Sequence, residues 1–289
     1  MRKIKVTDVR VHPGDSAFLV DDGQTAILYD SGFAFTGYGV ADNIQRILGQ
    51  RKLDFIFLTH SHYDHALGSV YALRRWPKAK VVASGYAAKI FQKPTARAVM
   101  RDLDRKFAAE NGVSDYEDLI DELRVDVAVE DGDVIEAGEM RFTAVALPGH
   151  TRCSMGFYEP ERKLLLSCET PGVFDGKSVV VPSYLVGYQM ALDSIERVEK
   201  MDIETILLPH LGLMNREKTA VYLSLAKKSA VETAQEIVRI LKSGGSHEDA
   251  KAYLRSKFMH GSISKAYPPA AFDLNAGIKI KLIEKELVN

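Results

Sequence analysis

The sequence predicts an α/β fold, and three features carry that expectation. Residues 54–83 read as strand, loop, helix, strand: the apolar run Phe55-Ile56-Phe57-Leu58, a helix over 66–75 closed by Trp76-Pro77, then a strand over 80–83. Four apolar strands end in side chains suited to chemistry, at His60, His150, Glu169 and His210, as strands of α/β sheets do when they deliver ligands to one edge. No strand is read after residue 210, so 213–289 is expected to be a helical extension, serving as a cap or a dimer surface.

Taken in order, 4–11, 16–20 and 25–29 read as short strands separated by Pro13-Gly14-Asp15 and Asp21-Asp22-Gly23, and the third ends at Asp30-Ser31-Gly32. Asp30 either forms that turn or reaches back to orient a metal-bound histidine. A helix over 40–48 leads to the strand at 54–58. Charged helices over 94–111 and 116–123 interrupt the strand rhythm, which makes 86–124 a helical insertion, read as a lid over the site or as plain packing helices. Strands resume at 125–129, 139–147, 154–158, 163–167 and 205–208. Helices follow over 217–241, stopped by Gly244-Gly245-Ser246, then over 247–258 and 271–287.

The chain has 289 residues, 46% hydrophobic and 27% charged, which excludes a disordered polymer. A formal net charge of −1 offers no electrostatic case for nucleic acid as a partner, and the apolar runs are too short to span a bilayer. The N-terminus has no secretory apolar region, and the two cysteines, Cys153 and Cys168, suit a reducing compartment, so the expected location is cytoplasmic.

The stretch His60-Ser61-His62-Tyr63-Asp64-His65 places three of the chain's 8 histidines and a carboxylate within six residues, directly after a buried strand. Imidazoles and carboxylates at such density need partners. His60 and His62 can face one cation while Asp64 and His65 face a second, so the spacing predicts two adjacent metals. Ligands of nitrogen and oxygen suit two divalent ions, zinc foremost, with iron or manganese as alternatives. Tyr184 and Tyr188, in an irregular segment, are candidate substrate contacts or packing residues.

Together, His-x-His-x-Asp-His after a strand, Pro148-Gly149-His150, Glu169 at a strand end and His210 after a strand resemble the metallo-β-lactamase superfamily over residues 4 to 212. The resemblance implies an αββα sandwich as a catalytic domain over 1–212. It also implies that His60, His62 and His150 hold one metal, Asp64, His65 and His210 the other, and Glu169 stands at the bridging carboxylate. Where the family usually has Gly-Asp, this chain has Cys168-Glu169, a carboxylate one methylene longer beside a small thiol. The implied activity is hydrolysis of a small thioester, ester or lactone by a metal-activated water, with Asp64 helping to orient the attack, as in glyoxalase-II-like thioesterases with helical C-terminal parts. Iron-dependent redox chemistry, phosphodiester cleavage and a regulatory protein with a structural metal are the alternatives.

Overall fold

The computed structural model describes residues 2–267 and 269–289, and the chain divides into two compact units, Met1–Ala146 with Met155–Ser167 and Leu147–Ser154 with Cys168–Asn289. In the first unit, β1 (Lys5–Asp8), β2 (Phe18–Asp21) and β3 (Ala26–Tyr29) form an antiparallel meander. After α1 (Gly37–Leu48), β4 (Phe55–Phe57) adds parallel to β3. Then α2 (Tyr63–Ala66) and α3 (Ser69–Arg75) lead to β5 (Lys80–Ser84), and α4 (Gly85–Phe91) and α5 (Pro94–Glu110) lead to β6 (Val127–Val129), both parallel. All four residues of β3 are buried, as expected of a strand covered on both faces.

The parallel register decides where ligands emerge. Tyr29 pairs with Phe57 and Phe57 with Val82, so β3 and β4 end level with one another and β5 runs two residues further. Asp30 and the Thr59-His60 segment therefore leave the sheet at the same carboxyl edge, where α/β folds bind ligands. The same unit holds an antiparallel sheet of β7 (Val134–Ala137), β8 (Met140–Ala146), β9 (Met155–Glu159) and β10 (Leu164–Leu166). The Phe57 ring joins the two sheets, 5.3 Å from Phe142 and 4.7 Å from Phe157 between centroids. Tyr29 adds a hydroxyl hydrogen bond to the Ser167 carbonyl.

Two helix expectations are corrected here and one strand is added. The helix expected over 66–75 is two helices, α2 and α3, and the first begins inside the histidine motif. The helix expected over 116–123 shrinks to a single 3-10 turn at Ile120–Glu122. Its carbonyls and side chains are committed elsewhere: Tyr71 donates to the Glu117 carbonyl, and Asp118 binds Arg101 at 2.6 Å and Arg105 at 2.8 Å on α5. The β7 strand, with burial alternating residue by residue, is an addition.

In the second unit, β11 (Val173–Phe174) and β12 (Val180–Val181) form a small hairpin within the segment expected to be irregular. After α6 (Tyr188–Glu199), β13 (Thr205–Leu208) turns back as β14 (Gly212–Met214), so a strand does follow residue 210. Three residues are too few to show a period, and the reversal rests on backbone freedom: His210 has φ 61° and Gly212 φ 106°. The helices α7 (Arg216–Lys242), α8 (His247–Phe258), α9 (Ile263–Ala266) and α10 (Pro269–Ile283) complete the unit, ending in a π turn over Glu284–Val288. Asn215 caps α7, and Ser246 with Asp249 forms a capping box on α8. The Glu286 carboxylate accepts from the Tyr188 and Gln189 backbone N–H groups, tying the C-terminal turn to the start of α6.

Helix α5 is fastened to the first unit by a buried carboxylate. Asp104 accepts from Ala34 N at 2.9 Å and from the Tyr116 hydroxyl. Burial nevertheless pushes its carboxyl up to about 6, against 3.8 for an ordinary aspartate. The folded state thus holds this proton more tightly than the unfolded chain, and the contribution of Asp104 to stability falls as pH rises from about 4 to about 6, by on the order of 3 kcal/mol. Unfolding followed from pH 4 to 7 is expected to show Asp104→Asn gaining on wild type over that window. Parallel profiles for the two proteins would contradict the assignment.

Candidate metal centre

In the first unit, the site is built from the ends of β3 and β4. Asp30 has φ 49°, and its N–H donates to the Phe57 carbonyl at 2.8 Å, which holds the buried side chain under the histidine loop. Its carboxylate accepts from Ser16 Oγ at 2.8 Å, from Thr59 N at 2.9 Å and from Thr59 Oγ1 at 3.0 Å. It also lies 2.7 Å from His65 Nδ1. A carboxylate with these donors can only accept from His65, so the imidazole proton sits on Nδ1 and Nε2 presents its lone pair. Thr59 spends its hydroxyl proton on Asp30, so its oxygen accepts from His60 Nδ1 at 3.0 Å, and His60 likewise presents Nε2.

These preset tautomers fit a cation. The His60 ring lies 4.6 Å from His62 and 4.0 Å from His65 between centroids. Ligand atoms of His60 and His62 fall within 4.8 Å of one another, as do those of Asp64 and His65. The short helix α2 sets the spacing, with His62 as its extended N-cap residue and the His62 carbonyl accepting from His65 N and Ala66 N. Backbone bonds from Ser31 N to His65 O (2.7 Å) and Gly68 N to Gly32 O (3.0 Å) lock this helix to the turn after β3. A Cβ on Gly68 would meet Ser31 O at 1.8 Å, so no other residue allows the approach.

In the second unit, Gly149 has φ 137° and would place a Cβ 2.6 Å from Ala191, which fixes the backbone that presents His150. His150 Nδ1 donates to the Ser183 carbonyl at 2.9 Å, which leaves its Nε2 to face Glu169 Oε2 at 2.9 Å. The other carboxylate oxygen, Oε1, lies 3.2 Å from His210 Nε2. Burial works to raise the Glu169 carboxyl, but His150 and then His210 outweigh it and hold it well below the usual carboxylate range. Glu169 is thus an anion spanning two imidazoles, a role its extra methylene suits.

Cys168, its neighbour, is buried with Sγ 3.8 Å from the Leu147 carbonyl and 3.6 Å from Thr170 Oγ1. Among the described residues it belongs to neither cluster of ligand atoms. Tyr184 and Tyr188 pack edge to face at 5.2 Å, both largely buried. Sequence reasoning does not single out Ser16, Thr59 or Ser183, whose hydroxyl or carbonyl oxygens orient the side chains above. Thr59, placed between the strand and the first histidine, carries the only usable signal.

A family model described as the metallo-beta-lactamase superfamily matches residues 13–210, well over half of the chain. The chain belongs to the metallo-β-lactamase superfamily and has its αββα fold with a helical extension. A relative from Sulfurisphaera tokodaii, metallo-beta-lactamase fold-containing protein ST1585, is 26% identical over 61% of this chain and 67% of its own length. The solved structure of ST1585 aligns with TM-score 0.59 at 17% identity, covering 99% of this chain and 100% of that one. The metallo-beta-lactamase family protein TTHA1429 from Thermus thermophilus aligns with TM-score 0.60 at 17% identity, over 93% of this chain and 88% of that one. Acyl-coenzyme A thioesterase MBLAC2 from Gallus gallus is 26% identical over 55% of this chain, which spans 57% of that protein's length.

Loss of the Asp30 acceptor should act through His65. Asp30→Asn sets an amide N–H among the same donors, and the metal affinity of the protein is expected to fall about 10- to 100-fold in a chelator competition. Unchanged affinity in a folded variant would show that Asp30 merely shapes the turn.

Proposed function

We propose that this chain is a metal-dependent hydrolase of small acyl compounds, a thioester, an ester or a lactone, and that the ligands of its two units act as one dinuclear centre. In this reading His60, His62, His150 and Glu169 would serve one ion and Asp64, His65 and His210 the other. The single observation that carries the reading is the preset chemistry of the donors. The carboxylate of Asp30 and the carbonyl of Ser183 each occupy Nδ1 of a histidine and so turn its Nε2 toward a carboxylate of the candidate ligand set, Asp64 for His65 and Glu169 for His150, as they would for metal binding.

When bound, a pair of divalent cations supplies a water of lowered pKa and a Lewis acid for the acyl oxygen. The protein's part is to place groups around that chemistry. Asp64 stands on the single turn of α2, and its Oδ2 lies 3.5 Å from His65 Nε2. It orients the attacking oxygen and accepts its proton. Glu169, whose carboxylate lies between His150 and His210, would supply negative charge to balance the cations. Zinc is the favoured metal, since nitrogen- and oxygen-rich sets of this kind bind it without a redox role, and iron and manganese suit the same ligands.

Support for an acyl substrate comes from the thioesterase among the relatives, which is similar to this chain over 168 residues. Among the described residues, no helix is long and apolar enough to cross a membrane. Protein loaded with zinc, iron or manganese is expected to hydrolyse members of a panel of thioesters, esters and lactones, to lose that activity on chelation, and to regain it on reloading. Asp64→Ala should lower kcat/KM by about 10²- to 10⁴-fold. A metal-loaded enzyme inactive on the whole panel, with Asp64→Ala indistinguishable from it, would overturn the reading.

A further inference from the structure

Helix α5 is seated by a narrow face with an acid in it. Its buried positions are Met100, Asp104, Phe107 and Ala108, so Asp104 interrupts an apolar stripe at helical spacing. Among the described residues this buried carboxylate has no ion pair, and the side-chain and backbone groups that donate to it, the Tyr116 hydroxyl and the Ala34 N–H, are neutral. The charges around it do not neutralise it. Arg101 and Arg105 on α5 are both bound to Asp118, an anion that itself opposes ionisation of Asp104. Tyr71 on α3 donates its hydroxyl to the Glu117 carbonyl, and Asp15 accepts from Phe33 N and Thr36 Oγ1 at the far side of the 33–36 loop. A buried carboxylate with neutral partners alone is costlier charged than protonated, in keeping with a carboxyl pushed up by burial to about 6.

The two halves of α5 are held differently. The first half is anchored by Arg97, whose guanidinium donates to the carbonyls of Phe91, Asp121 and Leu123. The second half is held by Asp104 and by rings. Phe107 lies 4.9 Å from Phe33, Phe33 lies 5.5 Å from Tyr63, and His12 stands edge-on to Phe107 at 5.2 Å, between centroids. Tyr63 opens α2 between His62 and Asp64, and α5 packs directly against α2. Asp104 bonds to the residue after Phe33, so the acid and the ring stack grip the same segment. Any conformation that returns Asp104 to water holds its proton less tightly than the closed one. The closed form is therefore favoured at low pH, and the open form gains as pH rises from about 4 through about 6.

We propose that the second half of α5 is a proton-controlled strap on α2, closed while Asp104 is protonated and lifting as Asp104 ionises, so that Asp64 and His65 are held less firmly once it has opened. Only the consequence for bound metal rests on the proposed dinuclear centre. The strap pivots beyond Arg97, whose three carbonyl partners keep the first half of the helix in place. Asp104 is thus a positioning residue that acts on the histidine loop through Phe107, Phe33 and Tyr63. It touches no candidate ligand and takes no part in the acyl chemistry.

The test has an exchange arm and a metal arm, both on zinc-loaded protein. Hydrogen–deuterium exchange is followed at pH 5 and pH 7.5, with times scaled for the intrinsic pH dependence of amide exchange. Residues 33–36 and 104–111 of wild type are expected to exchange about tenfold faster at the higher pH, the linkage expected of a carboxyl that titrates near 4 when open and near 6 when closed. Asp104→Asn should show no such rise, and strand β3 should stay equally protected in both proteins. Tyr116→Phe takes a donor from the carboxylate and should move the rise to higher pH, so it decides the matter where Asp104→Asn folds poorly. In the metal arm, zinc transfer to a chelator should be at least about threefold faster from wild type than from Asp104→Asn at pH 7.5, and alike at pH 5. Parallel exchange profiles, a rise shared equally by β3, or zinc release indifferent to the substitution at both pH values would each overturn the proposal. If no acyl substrate is hydrolysed while exchange and release behave as expected, the strap stands and the hydrolase reading falls.

Discussion

A single buried carboxylate holds the histidine loop of the first unit in place. Asp30 sits at the end of β3 with a left-handed backbone, and four donors from three segments converge on its two oxygens: Ser16 Oγ, the Thr59 N–H, the Thr59 hydroxyl and His65 Nδ1. The Thr59 bonds rest on the parallel register that sets Tyr29 level with Phe57, and the Ser16 bond on the antiparallel pairing of Phe18 with Tyr29. Remove the register and the carboxylate reaches nothing. Remove the carboxylate and the tautomers of His65 and, through Thr59, of His60 lose their determinant.

The second unit solves the same problem with a backbone oxygen. The Ser183 carbonyl fixes the tautomer of His150, and Glu169 then joins His150 to His210. The glycine at 149 and the left-handed turn at His210 are local departures from regular backbone, and both lie at residues that present ligands. Asp30 and Ser183 O are thus equivalent in effect though unlike in chemistry. Each spends one face of an imidazole on the protein so that the other is available to a cation.

The legibility of the sequence follows from the range of the interactions involved. Strand and helix order from β3 to α3 is readable because Ala26–Tyr29 and Phe55–Phe57 are apolar without interruption and the histidine motif follows at once. The long helix α7 and the helix α8 are equally plain, their signals being contained within a few turns. The strand Gly212–Met214 escapes such a reading because it depends on a turn geometry at His210 and Gly212, and the helix expected at 116–123 collapses because Tyr71 and Arg101, distant in sequence, claim its groups. Among the orienting residues, Asp30 is visible as a carboxylate at a strand end, whereas Ser183 acts through its carbonyl, which every residue possesses. Asp104 has a signal, a charge on the apolar face of α5, that becomes meaningful only once Ala34 and Tyr116 are known to lie against it.

We propose that His60, His62, Asp64 and His65 share two cations with His150, Glu169 and His210. Anomalous diffraction from crystals of the zinc-loaded protein tests it most directly. Two peaks per chain are expected, one at roughly 2.0–2.2 Å from nitrogens of His60, His62 and His150 and the other equally close to His65 and His210. Zinc held by His60 and His62 with no ligand from His150, Glu169 or His210, or no ordered ion at these residues in a zinc-saturated crystal, would contradict it.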